Sequence, residues 1–342
     1  MGMLKSNIVP NQETPLRRSH AGFTLIEFLV VIAITAIIVA LSAPAILSSR
    51  ELARRNTCGL RLREIWTGLN VYHDAHGSFP AGVISLQDPV PDNEDGEFRS
   101  WLPHLFGSLD QPLLADKWSA VSSLVSPEAK QLRHFRIPAL ICPSDSAPHR
   151  SAEPDEYFQS NYAGCHDHRP TAIASGNTGL LTLNERIRIQ EIPDGSCCTW
   201  LAGEFRRGPT DLGWASGTRG TLRNTGTPIN QTRDGTGSER ESRPLDLDRY
   251  PASDSLLDDL KRQSPELAVQ IEEERERQKS APEPVPERSL GDPGGFGSYH
   301  AGGCYLLLAD GRVRFVSQSI DETIYQQLGN RADGTLLSPD SF

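Results

Sequence analysis

Between Glu27 and Arg50 the chain runs for 22 residues, FLVVIAITAIIVALSAPAILSS, without one charged side chain. As a helix this run is about 33 Å long, roughly one hydrocarbon thickness. A secretory signal peptide has a shorter apolar stretch with a small-residue cleavage site behind it. The pattern therefore predicts a helix that stays in the bilayer. Lys5, Arg17 and Arg18 precede it, and positive flanks stay cytoplasmic, so the body after Arg50 is expected outside. Glu27 breaks the apolar pattern. A carboxylate facing lipid unpaired costs a few kcal/mol and calls for a cationic partner. The amine of a neighbouring chain that began at Phe23 would be one.

The residues before and through this glutamate, GFTLIE from Gly22 to Glu27, resemble the prepilin cleavage and methylation motif of type IV pilins and type II secretion pseudopilins. The resemblance implies that a dedicated membrane peptidase cuts between Gly22 and Phe23 and methylates the new N-terminal residue. It also implies that Glu27 meets the N-terminal amine of a neighbouring subunit during assembly. Pro44 falls where pilin-like stalks often carry a helix-kinking proline.

Past Arg50, Cys58, Leu62, Ile65, Leu69, Tyr72 and His76 recur at spacings of four and three, an amphipathic helical stripe. Gly77 and Pro80 end it. One helix is thus expected from about Phe23 to about His76, half in lipid and half packed on a globular head. His73 and His76 are read as polar members of that seam rather than as metal ligands. The stretch RRNTCGLRLREIWTGLNVYHDAHGSFPAG resembles the start of the DUF1559 family, a pseudopilin-like group. The matching positions are Arg54, Arg55, Cys58, Tyr72, His73, Asp74, Gly77, Phe79, Pro80 and Gly82.

Further blocks extend the resemblance. Cys142 to Asp145 match the family's CPSD block, after core anchors Trp101, Leu102, Leu105 and Phe106. Ser160, Asn161, Tyr162 and Gly164 match its NY block. Ile192, Asp194, Gly195, Ser196, Thr199, Gly203 and Glu204 match a third. Cys58 and Cys142 both fall on family-like positions. A disulfide between them would tie helix to head, contributing about 4 kcal/mol; two buried free thiols are the alternative. Cys165, His166, Asp167 and His168 are ligand-capable neighbours, read as an exposed polar loop because four adjacent residues cannot all face one ion. Ile187, Ile189 and Ile192, then Pro193-Asp194-Gly195, read as strand, turn and strand. Cys197 and Cys198, adjacent on the second strand, would point to opposite faces.

Near the C-terminus, CYLLLA and RVRFVS flank Asp310-Gly311, a hairpin signal. His300, nine residues, then Asp310 and Gly311 match the family's H-X9-DG signature. The flanking glycines favour a hydrogen bond from His300 across the sheet, and Asp310 is expected to serve the turn. Asp145, Asp194 and Asp310 are a calcium alternative that lacks a linear ligand motif; otherwise neither cofactor nor metal is expected.

A formal net charge of −10 speaks against nucleic-acid binding, which needs a basic face. No CxxC pair, nucleophile elbow, phosphate loop or zinc-protease motif occurs. The expected fold is α+β and pilin-like, with the long helix against a mainly antiparallel sheet. The expected organisation is a cleaved leader over 1–22, a membrane helix over 23–49, its extracytoplasmic continuation over 50–80, and a head over 81–205. A polar insertion follows over 206–290, with a weak helical stripe at Leu256, Leu260, Leu267 and Ile271, and 291–342 completes the head. The expected function is non-enzymatic: a single-pass inner-membrane subunit or accessory component of a type II secretion or type IV pilus-like filament. Its expected partners are prepilin peptidase, the membrane and other pilin-like subunits. The alternatives are a tethered module that binds an envelope, glycan or peptide ligand through the insertion, and a hydrolase using His300 with Asp310 or Asp145.

Overall fold

The computed structural model describes residues 25–91, 96–146, 157–208, 211–231, 293–335, 337 and 342, with 243–244 and Val269 besides. Gly22, Phe23, the basic leader and the stripe from Leu256 to Ile271 lie outside the described residues. The chain divides into two compact units, Met1–Arg50 and Glu51–Phe342.

The first unit is described from Leu25, where helix α1 (Leu25–His76) begins. Leu25, Ile26, Phe28, Leu29, Val30, Val31 and Ile32 are all exposed. A helix apolar on every side is not the surface helix of a globular head. It is long and apolar enough to cross a bilayer. Thr35 Oγ1 donates back to the Val31 and Ile32 carbonyls, at 2.9 Å each, so its hydroxyl needs no water.

In the second unit α1 becomes amphipathic. Cys58, Leu62, Ile65, Leu69 and Tyr72 are buried, as their spacing predicts. His76 is exposed and stacks on Tyr72 at a centroid distance of 4.0 Å. The stripe ends one turn early because Gly77, at φ +76°, closes the helix with a 2.7 Å hydrogen bond to the His73 carbonyl.

The main sheet has five strands, in the order β6 (Leu222–Asn224), β4 (Tyr162–Asp167), β5 (Trp200–Glu204), β8 (Gly303–Leu308), β9 (Val313–Ser317). Only the β4–β6 pair is parallel. Two minor antiparallel pairs join β1 (Val83–Ile84) to β3 (Arg99–Ser100), and β2 (Gln87–Asp88) to β7 (Arg243–Pro244). Period-two alternation gives the main sheet two buried faces. Leu201 and Leu307 join Leu62, Ile65 and Leu69 of α1, with Leu102, Leu105 and Phe106, in one core. Trp200, Cys304, Leu306 and Leu308 point the other way, onto Tyr325 and Leu328 of helix α2 (Glu322–Gly329). Each fully buried leucine or phenylalanine contributes about 1.5–3 kcal/mol. The fold is α+β and pilin-like, a long N-terminal helix followed by a mixed head.

Four local expectations are corrected. Ile189–Glu191 is a 3₁₀ turn, not strand, because Ile187 and Ile192 both turn inward from a non-repeating loop. Ser196–Cys198 is also 3₁₀, which brings the Cys197 and Cys198 sulfurs within 3.2 Å of each other. The segment holding Cys165, His166 and Asp167 is the buried strand β4, not an exposed loop; its polar side chains find partners inside. Finally, residues 211–231 are packed head rather than insertion: Trp214 and Leu222 are core residues, although Gly, Thr and Arg dominate the local composition.

Candidate functional site

Three loops or element ends converge on the buried side of α1. Cys58 sits one helical repeat before Leu62, on the core face of α1. Cys142 follows a short 3₁₀ turn at Pro138–Leu140. Its backbone N–H donates to Asn161 Oδ1 at 2.7 Å. The same Asn161 donates through Nδ2 to Asp145 Oδ2 at 2.9 Å, and Arg207 pairs with Asp145 through Nε at 2.6 Å. The CPSD and NY blocks thus interlock through one asparagine, which fixes where the Cys142 sulfur points.

His300 precedes β8, and its backbone N–H is held by Ser298 Oγ at 3.2 Å. Gly303 follows, where a Cβ would lie 2.0 Å from the Val316 carbonyl oxygen. That close backbone approach draws the loop in. The imidazole does not bond across the sheet, as expected from sequence, but reaches α1. Its Nδ1 lies 2.6 Å from Glu51 Oε1. Its Nε2 lies 3.2 Å from Cys58 Sγ and 3.6 Å from Cys142 Sγ. Glu204 ends β5 with its Oε2 accepting from the Tyr305 N–H at 2.8 Å. Its Oε1 lies 3.7 Å from His300 Nε2 and makes no hydrogen bond of ordinary geometry. The two sulfurs are 3.3 Å apart and both thiols are free.

Burial alone would lower the His300 pKa, but the hydrogen bonds to Cys142 and Glu51 and the Glu204 charge raise it to about 9. The Cys142 thiol is pushed down by hydrogen bonding from Cys58 and by His300. Cys58 is pushed up by sharing its proton with Cys142 and by burial. Glu204 is pushed up, chiefly by burial. For Glu51, burial acts upward and is outweighed by the hydrogen bonds from His300, Arg54 and Ser144. Cys58, Cys142, Glu204 and His300 are the residues among those described that could hold a metal ion together: their donor atoms all lie within 4.8 Å of one another. Cys58 and Cys142 are 0% and 2% exposed, so the Cys–His pair is closed off from solvent. A cleft of about 320 Å³, lined by Arg206, Tyr299, His300 and Gln318 among others, opens beside the loop, yet the His300 side chain is only 1% exposed.

The other sequence-selected residues lie elsewhere. Glu27 is on the apolar part of α1. Asp310 and Gly311 form the hairpin turn at the far end of β8 from His300, roughly 20 Å along a six-residue strand. Asp310 binds Arg312 at 2.7 Å. Asp145 is taken by Arg207 and Asn161, and Asp194 accepts from the Asp333 and Gly334 N–H groups at 2.7 and 2.9 Å, so the three aspartates serve three separate places. His73 packs on Phe79. Glu51 and Glu204 were not singled out for this site. One signal existed: a carboxylate closing the apolar strand WLAGE is a buried charge that needs a partner.

This geometry defines a class first: a membrane-anchored, pilin-like protein whose head is locked to its own helix by a buried polar cluster. Residues 17–43 match the prokaryotic N-terminal methylation motif. Residues 48–323 match the family described as "Protein of unknown function (DUF1559)", and the chain belongs to that family. No curated protein and no solved structure matches it.

Proposed function

We propose that this chain is a non-enzymatic subunit or accessory component of a type II secretion or type IV pilus-like filament. The observation that carries the reading is the methylation motif at 17–43 running without interruption into a helix that is apolar on all sides. Such a motif marks a prepilin-peptidase substrate. Cleavage between Gly22 and Phe23 would leave a methylated amine four residues from Glu27, and the carboxylate of one subunit would neutralise the amine of the next. In lipid that pairing favours assembly, since each charge alone is costly there. The head, Glu51–Phe342, would face the extracytoplasmic side.

The test is the mass of the N-terminal peptide from protein isolated from native membranes. A peptide starting at Phe23 with one added methyl is expected. A chain starting at Met1 would overturn the processing and leave a tethered binding module as the better reading.

A further inference from the structure

We propose that Cys58, Cys142, His300 and Glu204 form a closed, tetrahedral zinc site that staples α1 to the sheet. The donor set comes from α1, a loop, the end of β5 and the loop before β8. Zinc holds thiolate sulfur at about 2.3 Å and imidazole nitrogen at about 2.0–2.1 Å. A tetrahedron of those radii has donor-to-donor edges of roughly 3.3–3.8 Å. The measured edges are 3.3 Å between the sulfurs, 3.2 and 3.6 Å from His300 Nε2 to each sulfur, and 3.7 Å from Nε2 to Glu204 Oε1. The remaining two edges, from Glu204 Oε1 to the sulfurs, lie within 4.8 Å, so the carboxylate is the ligand that would close in to seat the ion.

The chemistry of the donors selects the metal. Two thiolates and an imidazole are soft and borderline ligands, which suit zinc over calcium or magnesium. The surrounding hydrogen bonds are those a zinc ligand set needs. Glu51 Oε1 accepts a hydrogen bond from His300 Nδ1, which orients the ring with Nε2 aimed at the sulfurs. The Tyr305 N–H occupies one oxygen of Glu204 and leaves the other, 3.7 Å from His300 Nε2, turned toward the same point. On binding, any proton held on a thiol or on His300 Nε2 goes to solvent, so zinc uptake is coupled to proton release.

A disulfide between Cys58 and Cys142 is the competing use of the same sulfurs. It would leave His300 Nε2 and the buried Glu204 oxygen, 3.7 Å apart, both facing an uncharged bond that neither can coordinate. A dication accounts for all four groups. With four protein ligands and no solvent-facing position, the site is structural rather than catalytic.

The experiment uses full-length protein purified in detergent from native membranes, without added metal. Elemental analysis is expected to give one zinc per chain. Exchange with cobalt(II) is expected to give a thiolate-to-cobalt charge-transfer band and the intense visible bands of a tetrahedral site. Cys58→Ser and Glu204→Gln should each weaken zinc retention at least tenfold against a chelator. Because Cys58→Ser could unfold the head, the cobalt spectrum of the unsubstituted protein stands as the independent readout. A Cys58–Cys142 disulfide peptide in a non-reducing digest would overturn the proposal. So would two alkylatable thiols on a metal-free protein that shows no thiolate-to-cobalt band on titration.

Discussion

Asp167 closes β4 with a fully buried carboxylate that accepts from the Arg169 N–H at 2.7 Å, Arg169 Nε at 3.1 Å, Asn177 Nδ2 at 3.0 Å and the Thr178 N–H at 3.1 Å. Burial acts to raise its pKa, but the Arg169 hydrogen bonds and the positive field of His166 outweigh burial, and the net shift is downward. A folded-state pKa below the unfolded one means stability that is complete above the unfolded carboxylate value, about 3.9, and lost as pH falls through the lower folded value. The denaturation midpoint should therefore fall more steeply below about pH 4 in the wild type than in Asp167→Asn. Thermal melts of the two proteins across that range check it, and parallel curves would remove Asp167 as the cause. Sequence placed this residue among possible ligands on an exposed loop. Its actual role depends on Arg169 and Asn177 folding back on it, which no linear spacing announces.

At the scale of elements, the C-terminal hairpin was the most legible part of the chain. Alternation in CYLLLA and RVRFVS, with Asp-Gly between, encodes two strands and a turn, and β8 and β9 pair in that register. Gly311 adds a tertiary constraint to the turn. Its φ is +89°, and a Cβ there would stand 2.3 Å from Trp66 Nε1 of α1. Gly311→Ala should destabilise the head by more than about 1 kcal/mol, read from urea unfolding. An unchanged midpoint would mean that Trp66 swings away and the turn relaxes. The run from Ile187 to Ile192 shows the opposite case. Ile187 and Ile189 alternate as a strand would and Ile192 follows three residues on, yet among the described residues they lie in no strand and frame a 3₁₀ turn instead. Period-two spacing reports which side chains are buried; it does not report whether the backbone beside them has a partner.

For the molecule as a whole, the two units carry separate tasks. The span from Leu25 to Arg50 has exposed apolar side chains among the described residues, whereas Glu51–Phe342 has cores on both faces of its sheet. On the proposed function, Glu27→Ala should remain in the membrane fraction but fail to enter sheared filaments. Membrane fractionation and immunoblotting of the sheared material separate the two effects, and a variant that still assembles would remove the glutamate from assembly. Hydrophobic pattern and turn chemistry alone specify the long apolar helix, its continuation as an amphipathic stripe, and the hairpin. Each is local, set by hydrophobic period, chain length or a turn dipeptide over a few dozen residues at most. That Cys58, Cys142, Glu204 and His300 share one buried point emerges only from packing. Those residues are spread over some 242 positions, and their meeting depends on where α1, β5 and two loops pack. Contacts of that range leave no periodic trace in the chain, because they are fixed by the mutual burial of separate elements rather than by the conformation of any one.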